Sequence, residues 1–498
     1  MAKQTTFRIA EARSEDNISL SFGLMELVRS CFKRLDLYDF LSRFKSKGVP
    51  LGFVVELMCI HHLDGGDSMR RFDTLSSNPI AVSELCHGHH ISQRTMNRAL
   101  EDLDLYFEEI TVHIWEMLQK MYPIQCTDVY VDGSHIEANG LAGDLSEYGE
   151  GCGRIQAQIQ FMLASLVDPM IPLLMEAYPG NLNDPVQYSD FIPQLMFMLR
   201  KGSMIIMDHG GSSKRILDDI RSNGMDFLTR VKMNESDDRV MKEQLHRMEY
   251  VGRGIGCIRN TFGSSGRTNY LFFSVDKYIL GIHAEERRMR RELENLEFAR
   301  EMSRSPDVKR LVKVTKNPFF DVKVSKVELR MTLDPWLDED IVKAIGDIDP
   351  RCGWFKLQCS RPLDSKEALE RYRGRVGIEH MISSVKSVVN LKPLRVWKGS
   401  SVRGAMMLAF IAQVCVSMVR HDLEPDVFEK MVDGKMTTIH HRPSTKTICD
   451  ELSHLTVTYF SRDGWGLDYV ISNKTSLTER IFKVLEGYLS NISDKNGC

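Results

Sequence analysis

Two short hydrophobic segments that each end at an aspartate constrain the fold of this chain most. Residues 127–131 (TDVYV) are rich in β-branched and aromatic side chains and lead into Asp132, and residues 203–207 (SMIIM) lead into Asp208. Segments of this length and composition are typical of buried strands. Because the carboxyl ends of strands in an α/β sheet line a crevice, both aspartates are well placed to face one site. An aspartate at a strand end is also a common turn or cap residue, so the pair alone fits either role.

The sequence around these segments predicts a mixed α/β domain. Residues 161–169 and 171–180 have the composition of a second and a third strand. Helices are predicted at 185–199 and 214–224, and a further strand at 227–231. This order of elements is typical of a mixed sheet covered by helices.

Residues 1–122 have helical periodicity and are predicted to form an N-terminal region for DNA binding or dimerisation. Ser92 is a predicted N-cap, and Arg94 and Arg98 lie four residues apart on the helix that it begins. That face suits a DNA-recognition helix. An ordinary surface helix in a helical bundle fits the same pattern.

The α/β pattern breaks between residues 236 and 345, which we predict to be an inserted, partly β domain. The insertion divides a catalytic domain into a first part, 123–235, and a second part, 346–425. Residues 426–498 are predicted to form a helical C-terminal region.

The insertion also contains many charged residues. Most of its arginines alternate with glutamates, as on a solvated helix. Lys309, Arg310 and Lys313 lack such compensation, so they are the predicted phosphate contacts of this region.

Composition sets weaker limits on function. The chain has 498 residues, a net charge of −3 and eleven cysteines. Because it is not basic overall, DNA binding has to depend on local patches. No CxxC pair occurs, so a disulfide framework or zinc site is not expected and a reducing cytoplasm is the simplest setting. The apolar run at 405–419 is too short to span a membrane and is predicted to be a buried helix.

The region 365–389, predicted as one long helix, has the most informative polar pattern. At 100° per residue, Tyr372, Arg375, Glu379 and Lys386 fall in one stripe roughly 60° wide. The carboxylate in this stripe can bind a metal ion and its two cations can bind phosphates. A surface helix with an Arg375–Glu379 ion pair fits the pattern equally well.

This stripe resembles a known signature. The spacing of Tyr372, Arg375, Glu379 and Lys386 is similar to the Y-(2)-R-(3)-E-(6)-K pattern of prokaryotic insertion-sequence transposases, which are DDE enzymes with a ribonuclease H-like catalytic fold. Four other segments resemble parts of that family: the first-Asp strand, a G-N-x-x-D segment, the second-Asp strand and a stretch after the glutamate helix. They are residues 131–134, 179–184, 205–210 and 393–397.

The chain departs from the family pattern at three positions. Ser134 stands where threonine is more usual, and His209 and Gly211 replace basic and aromatic neighbours of the second aspartate. These departures affect details around the predicted site and leave its three carboxylates in place.

The resemblance implies an α/β, ribonuclease H-like mixed sheet in which Asp132, Asp208 and Glu379 are the catalytic residues. They would bind two Mg²⁺ or Mn²⁺ ions for DNA cleavage and strand transfer. Tyr372, Arg375 and Lys386 would contact the DNA end. The implied partners are double-stranded DNA, as terminal inverted repeats and target, and a second copy of the chain; no membrane is expected.

The implied location is the cytoplasm, in association with the nucleoid. Two alternatives stay open at this point. One is a related nuclease that cuts without joining, and the other is a domesticated DNA-binding protein that has lost catalysis.

Overall fold

The computed structural model of the protein describes residues 18–45, 47–66, 79–122, 127–138, 143–151, 154–262, 266–304, 320–324, 331–335, 349–389, 398–432, 435–462 and 466–493. The chain divides into two compact units. The first consists of Met1–Thr229 and Leu369–Cys498, and the second is Arg230–Ala368.

A mixed sheet forms the centre of the first unit, in the order β5–β4–β2–β6–β7. Strands β2, β6 and β7 are parallel, and β4 is antiparallel to β2 and to β5. The short β3 pairs with the N-terminal part of β4, residues 154–158. The strands are β2 (Val129–Glu137), β3 (Glu147–Gly151), β4 (Arg154–Leu166), β5 (Pro172–Pro179), β6 (Met204–Met207) and β7 (Asp226–Val231). Together with its helices, this mixed sheet gives the expected α/β, ribonuclease H-like fold class.

Strand β2 is longer than its hydrophobic segment predicts. The sequence places its end at Asp132, but the strand continues to Glu137 because residues 132–137 extend the antiparallel pairing with β4. Two helices of this part are α7 (Asp184–Met198) and α8 (Lys214–Ser222). Both were predicted, and the Ser213 side chain caps the second one.

The rest of the first unit is helical before β2 and mixed after the sheet. The N-terminal helices are α1 (Phe22–Arg34), α2 (Leu37–Ser42), α3 (Leu51–Leu63), α4 (Pro79–Glu84), α5 (Gln93–Leu105) and α6 (Phe107–Met121). The helices after the insertion are α11 (Ser365–Arg373), α12 (Val376–Ser387), α13 (Gly399–Asp422), α14 (Thr445–His454) and α15 (Ser476–Ser493). Ser92 caps α5 as predicted, since its hydroxyl accepts a hydrogen bond from the Thr95 N–H.

Helix α13 is the core helix of the first unit and packs against α1, α3, α5 and β5. By length and composition it could cross a membrane, but 94% of its most apolar window is buried inside the protein. The prediction of a buried helix at 405–419 is therefore confirmed.

The prediction of a purely helical C-terminal region is wrong. Residues 426–498 also contain two hairpins, whose strands are β14 (Asp426–Val432), β15 (Lys435–His441), β16 (Thr456–Arg462) and β17 (Gly466–Ser472). The last two form a three-stranded antiparallel sheet with β1 (Ile18–Ser21). The β-branched and aromatic run at 456–460 favours a strand, although helical segments lie on both sides of it.

The second unit contains an antiparallel sheet in the order β13–β10–β9–β8. Its strands are β8 (Glu249–Gly252), β9 (Ile255–Phe262), β10 (Arg267–Ser274) and β13 (Trp354–Cys359), with a separate hairpin of β11 (Phe320–Val324) and β12 (Met331–Pro335). Its helices are α9 (Glu235–Glu243) and α10 (Val275–Arg304). A buried Lys356–Asp237 ion pair of 2.8 Å links the sheet to α9. The predicted domain bounds and the roles given to each part stay predictions.

Candidate active site

The two strand-end aspartates lie on neighbouring parallel strands. Val131 of β2 pairs with Met207 of β6. Asp132 and Asp208 directly follow these two residues, so they lie side by side where this parallel pairing ends. The Asp132 Oδ1 accepts the Gly133 N–H at 3.0 Å, and the Thr229 hydroxyl donates to the Asp208 carbonyl at 3.0 Å. The predicted meeting of these two carboxylates at one sheet edge thus follows from strand register.

A single guanidinium group joins the two aspartates. The Arg375 Nη2 lies 3.1 Å from the Asp132 Oδ2, and the Nη1 lies 3.6 Å from the Asp208 Oδ1. Arg375 is 6% exposed. The Tyr372 hydroxyl donates to the Asp208 Oδ1 at 3.1 Å and accepts from the Arg375 Nη1 at 3.3 Å. Two of the predicted residues around this carboxylate pair, Tyr372 and Arg375, therefore form one bonded cluster with it.

The helix that was predicted to carry the stripe is interrupted. Helix α11 ends at Arg373 and α12 begins at Val376, so Tyr372 lies on one helix and Glu379 on the next. The prediction of one continuous helix over 365–389, with all four side chains in a single stripe, is wrong. Gly374 and Arg375 form the two-residue turn between the helices.

A tyrosine from the sheet accounts for the break. In a continuous helix the Arg375 N–H would donate to the Arg371 carbonyl. Here the Tyr130 hydroxyl donates to that carbonyl at 3.2 Å, and the Arg375 N–H donates to the Tyr372 carbonyl instead. Gly374 is required at this point, because a Cβ on it would lie 2.0 Å from the Tyr130 hydroxyl.

Burial and like charges shape the electrostatics of the pair. Burial raises the pKa of Asp132, the Arg375 guanidinium lowers it, and the charges of Asp208 and Glu379 raise it further. Glu379 is exposed in the first turn of α12. The charges of the other two predicted catalytic carboxylates thus both act on Asp132.

The aspartate pair opens onto a cleft of about 200 Å³. Two further acidic residues, Glu150 and Asp184, line this cleft, and no lysine or arginine is among the described residues lining it. Asp184 lies in the first turn of α7, inside the segment that resembles G-N-x-x-D. Asp184 was not among the predicted site residues, although the segment that resembles G-N-x-x-D contains it.

Tyr188 lines the same cleft as Asp208. It is 3% exposed, and burial raises its pKa, as does the charge of Asp132. A Cβ on Gly211 would lie 2.9 Å from this ring. An aromatic ring from α7 therefore occupies the space next to Gly211, the position where this chain departs from the family pattern.

Lys386 is held at the other end of α12. Its Nζ donates to the Ser134 hydroxyl at 2.6 Å and lies 5.9 Å from the centre of the Phe161 ring. Ser134 is the residue of β2 that stands where threonine is more usual. The structure thus ties Lys386 to the same strand that carries Asp132.

The remaining predicted DNA contacts are not part of this cluster. Arg94 and Arg98 are exposed on α5, whose buried side faces α13. Lys309, Arg310 and Lys313 lie outside the described residues.

The described parts of the chain contain no group of three His, Cys, Asp or Glu side chains arranged to hold a metal ion. Asp132 and Asp208 share Arg375 instead. In the histidine-rich stretch after α4, His87 bonds to Glu56 at 2.5 Å. The assignment of Asp132, Asp208 and Glu379 as metal ligands stays a prediction.

Comparison with known proteins identifies the family. The family model described as "Transposase DDE domain" matches residues 127–415, which is more than half of the chain. A solved structure titled "Cryo-EM structure of piggyBac transposase synaptic complex with hairpin DNA" is similar at 11% identity and a TM-score of 0.38, covering 97% of this chain and 86% of that one. No curated protein matches the sequence. This chain belongs to the transposase DDE domain family.

Proposed function

We propose that this protein is the transposase of an insertion sequence, which cuts the ends of its element and joins them to target DNA. The observation that supports this most is the pair Asp132 and Asp208, which neighbouring parallel strands bring to one cation. Glu379 completes the set, since its charge acts on Asp132. The family match supports DNA transposition in general.

The donor chemistry of the acidic cleft suits divalent metal ions. Carboxylate oxygens are the ligands that Mg²⁺ and Mn²⁺ prefer. Burial raises the pKa of Asp132, and a bound cation would favour its charged form. Asp132, Asp208 and Glu379 would hold the ions. Two bound ions would activate the attacking oxygen and stabilise the leaving oxygen of a phosphoryl transfer.

The chain's own residues would position the DNA. Lys386, tied to β2 through Ser134, places a positive charge beside the acidic cleft and can bind a backbone phosphate. The Tyr372 hydroxyl orients the Asp208 carboxylate by donating to it. Arg94 and Arg98, exposed on α5, offer a separate basic surface for the DNA duplex.

The proposed reaction has two steps. Water adds across a phosphodiester at the element end, which leaves a 3′-hydroxyl and a 5′-phosphate. That hydroxyl then attacks a phosphodiester of the target, forms a new P–O bond and releases a target 3′-hydroxyl. Two ends have to be joined together, so we propose that a homodimer on DNA carries this out in the cytoplasm, at the nucleoid.

A strand-transfer assay tests this proposal. Full-length protein is incubated with Mg²⁺, a target plasmid and DNA that carries the inverted repeats flanking its gene. Wild type should cut and join, whereas Glu379→Gln should bind the repeats and do neither. Glu370→Gln, at an exposed glutamate on α11, is the matched control and should keep both activities. Cleavage by Glu379→Gln would contradict the assignment.

The same assay distinguishes the alternatives. Cutting without joining by wild type would indicate a nuclease. Binding without cutting would indicate a DNA-binding protein that has lost catalysis. Either result would overturn the proposed transposase activity.

A further inference from the structure

The guanidinium of Arg375 occupies an unusual position for a buried arginine. It is the one positive group placed directly between Asp132 and Asp208 in the described cluster, and it is 6% exposed. The charges of Asp208 and Glu379 both act on Asp132. The Asp132 side chain is only 20% exposed. Burying a carboxylate without a counter-charge is costly, so a cation is needed beside Asp132 whenever no metal ion is present.

Arg375 makes fewer hydrogen bonds to its aspartates than two other arginines in this chain do. Arg403 forms a bidentate (fork-like) pair with Asp104, with hydrogen bonds of 2.6 and 3.2 Å. Arg351 forms one with Asp238, with hydrogen bonds of 2.8 and 2.6 Å. Such forks are the strong form of this interaction.

Arg375 forms no such fork with either aspartate. It reaches them at 3.1 and 3.6 Å through separate nitrogens. Its Nε is buried and has no hydrogen-bond partner in the described part of the chain. A buried donor without a partner costs free energy. Arg375 therefore supplies charge to the pair and gains little in hydrogen bonding.

We propose that Arg375 is a temporary counter-ion, which neutralises Asp132 and Asp208 in the metal-free protein and is displaced when divalent ions bind. This inference rests on the proposed function, because it regulates the same carboxylate site. A metal ion bound by both aspartates would compete with Arg375 for the same carboxylate oxygens. Metal binding would then release the guanidinium, which lies at the turn between α11 and α12, for a DNA phosphate.

The competition predicts a specific effect on metal affinity. Removing the guanidinium removes the competitor, so Arg375→Gln should bind Mn²⁺ about tenfold more tightly than wild type. Arg375→Lys keeps a charge but has no fork to span both aspartates, so it should fall between the two. A residue that merely positions the carboxylates for metal would give the opposite result, weaker binding in both variants.

Isothermal titration calorimetry of Mn²⁺ binding to full-length, metal-free protein tests the predicted change in affinity without DNA or catalysis. Arg371→Gln is the matched control, because Arg371 is also an arginine of α11 paired with an aspartate, its guanidinium lying 2.6 Å from the Asp128 carboxylate. It should lose stability and keep the wild-type Mn²⁺ affinity. Arg375→Gln should lose thermal stability in EDTA and gain more from Mn²⁺ than wild type gains.

The outcomes separate this inference from the proposed function. If wild type and Asp132→Asn bind no Mn²⁺ at this site, the proposed metal-dependent function fails. If wild type binds Mn²⁺ and Asp132→Asn does not, but Arg375→Gln and Arg375→Lys bind no more tightly than wild type, the counter-ion inference fails alone. Should Arg375→Gln not fold, the comparison of Arg375→Lys with wild type decides the question.

Discussion

The break between α11 and α12 depends on one close contact, which Gly374→Ala should disrupt. A Cβ at this position would lie 2.0 Å from the Tyr130 hydroxyl and 2.9 Å from its Cζ. Tyr130 is 3% exposed, so its ring has little room to move. Overpacking of this kind costs about 1–3 kcal/mol. Loss of the Tyr130 bond to the Arg371 carbonyl adds about 1 kcal/mol.

A smaller effect opposes this loss. Alanine restricts the unfolded chain more than glycine does, which stabilises the fold by about 0.4–1 kcal/mol where the backbone permits it. The net expectation for Gly374→Ala is a loss of about 2 kcal/mol in the free energy of unfolding. Gly487→Ala on α15 is the matched control, because nothing lies within 4 Å of its Cβ position. It should be neutral or slightly stabilising.

A double-mutant cycle in urea separates the contact from general damage. Tyr130→Phe alone should cost about 1 kcal/mol through the lost hydrogen bond. In the double variant the nearest colliding atom is absent, so the two losses should fall short of their sum by at least about 1 kcal/mol. If the losses simply add, the Tyr130 hydroxyl does not set the break and this explanation is refuted.

Two further predictions concern charge. Lys386→Ala should weaken binding of repeat DNA about tenfold and lower the salt slope by about one, measured by fluorescence anisotropy at several salt concentrations; an unchanged slope would exclude a phosphate contact. Burial raises the pKa of Glu176 to about 7. The folded state therefore holds a proton that the unfolded state releases near pH 4.3, so stability falls as pH rises from about 4.3 to about 7. Glu176→Gln should reduce this fall in thermal stability, and an unchanged pH profile would contradict the assignment.

The part of the site that could be predicted depends on local sequence. Strands β2 and β6 are short hydrophobic segments whose burial is evident from composition, and each leads to its aspartate. Their parallel pairing then brings Asp132 and Asp208 together. The spacing from Tyr372 to Lys386 predicts residues around one site; the structure bonds Tyr372 and Arg375 to the aspartates, but the single continuous helix assumed for that spacing is interrupted.

The helix break is only weakly marked in the sequence, because part of its cause is distant in the chain. Gly374 and Gly377 weaken the helical preference of residues 365–389 but do not fix where the helix ends. The hydroxyl that bonds the Arg371 carbonyl comes from Tyr130, 241 residues from Arg371. The place of Arg375 between two aspartates follows from the same break. A pattern of helical spacing pairs Arg375 with Glu379 and gives no sign that its partners lie on the sheet.

The order of the site residues along the chain has a consequence for synthesis. Asp132 and Asp208 precede the compact unit Arg230–Ala368, and their cation Arg375 follows it. At bacterial or eukaryotic elongation speeds, translation from Asp208 to Arg375 takes roughly ten to thirty seconds. During that time the nascent sheet carries both acids without their arginine. A chain that ends early, inside the insertion, would therefore also lack Glu379 and Lys386, so an incomplete product would miss half of the residues proposed for the active site along with Arg375.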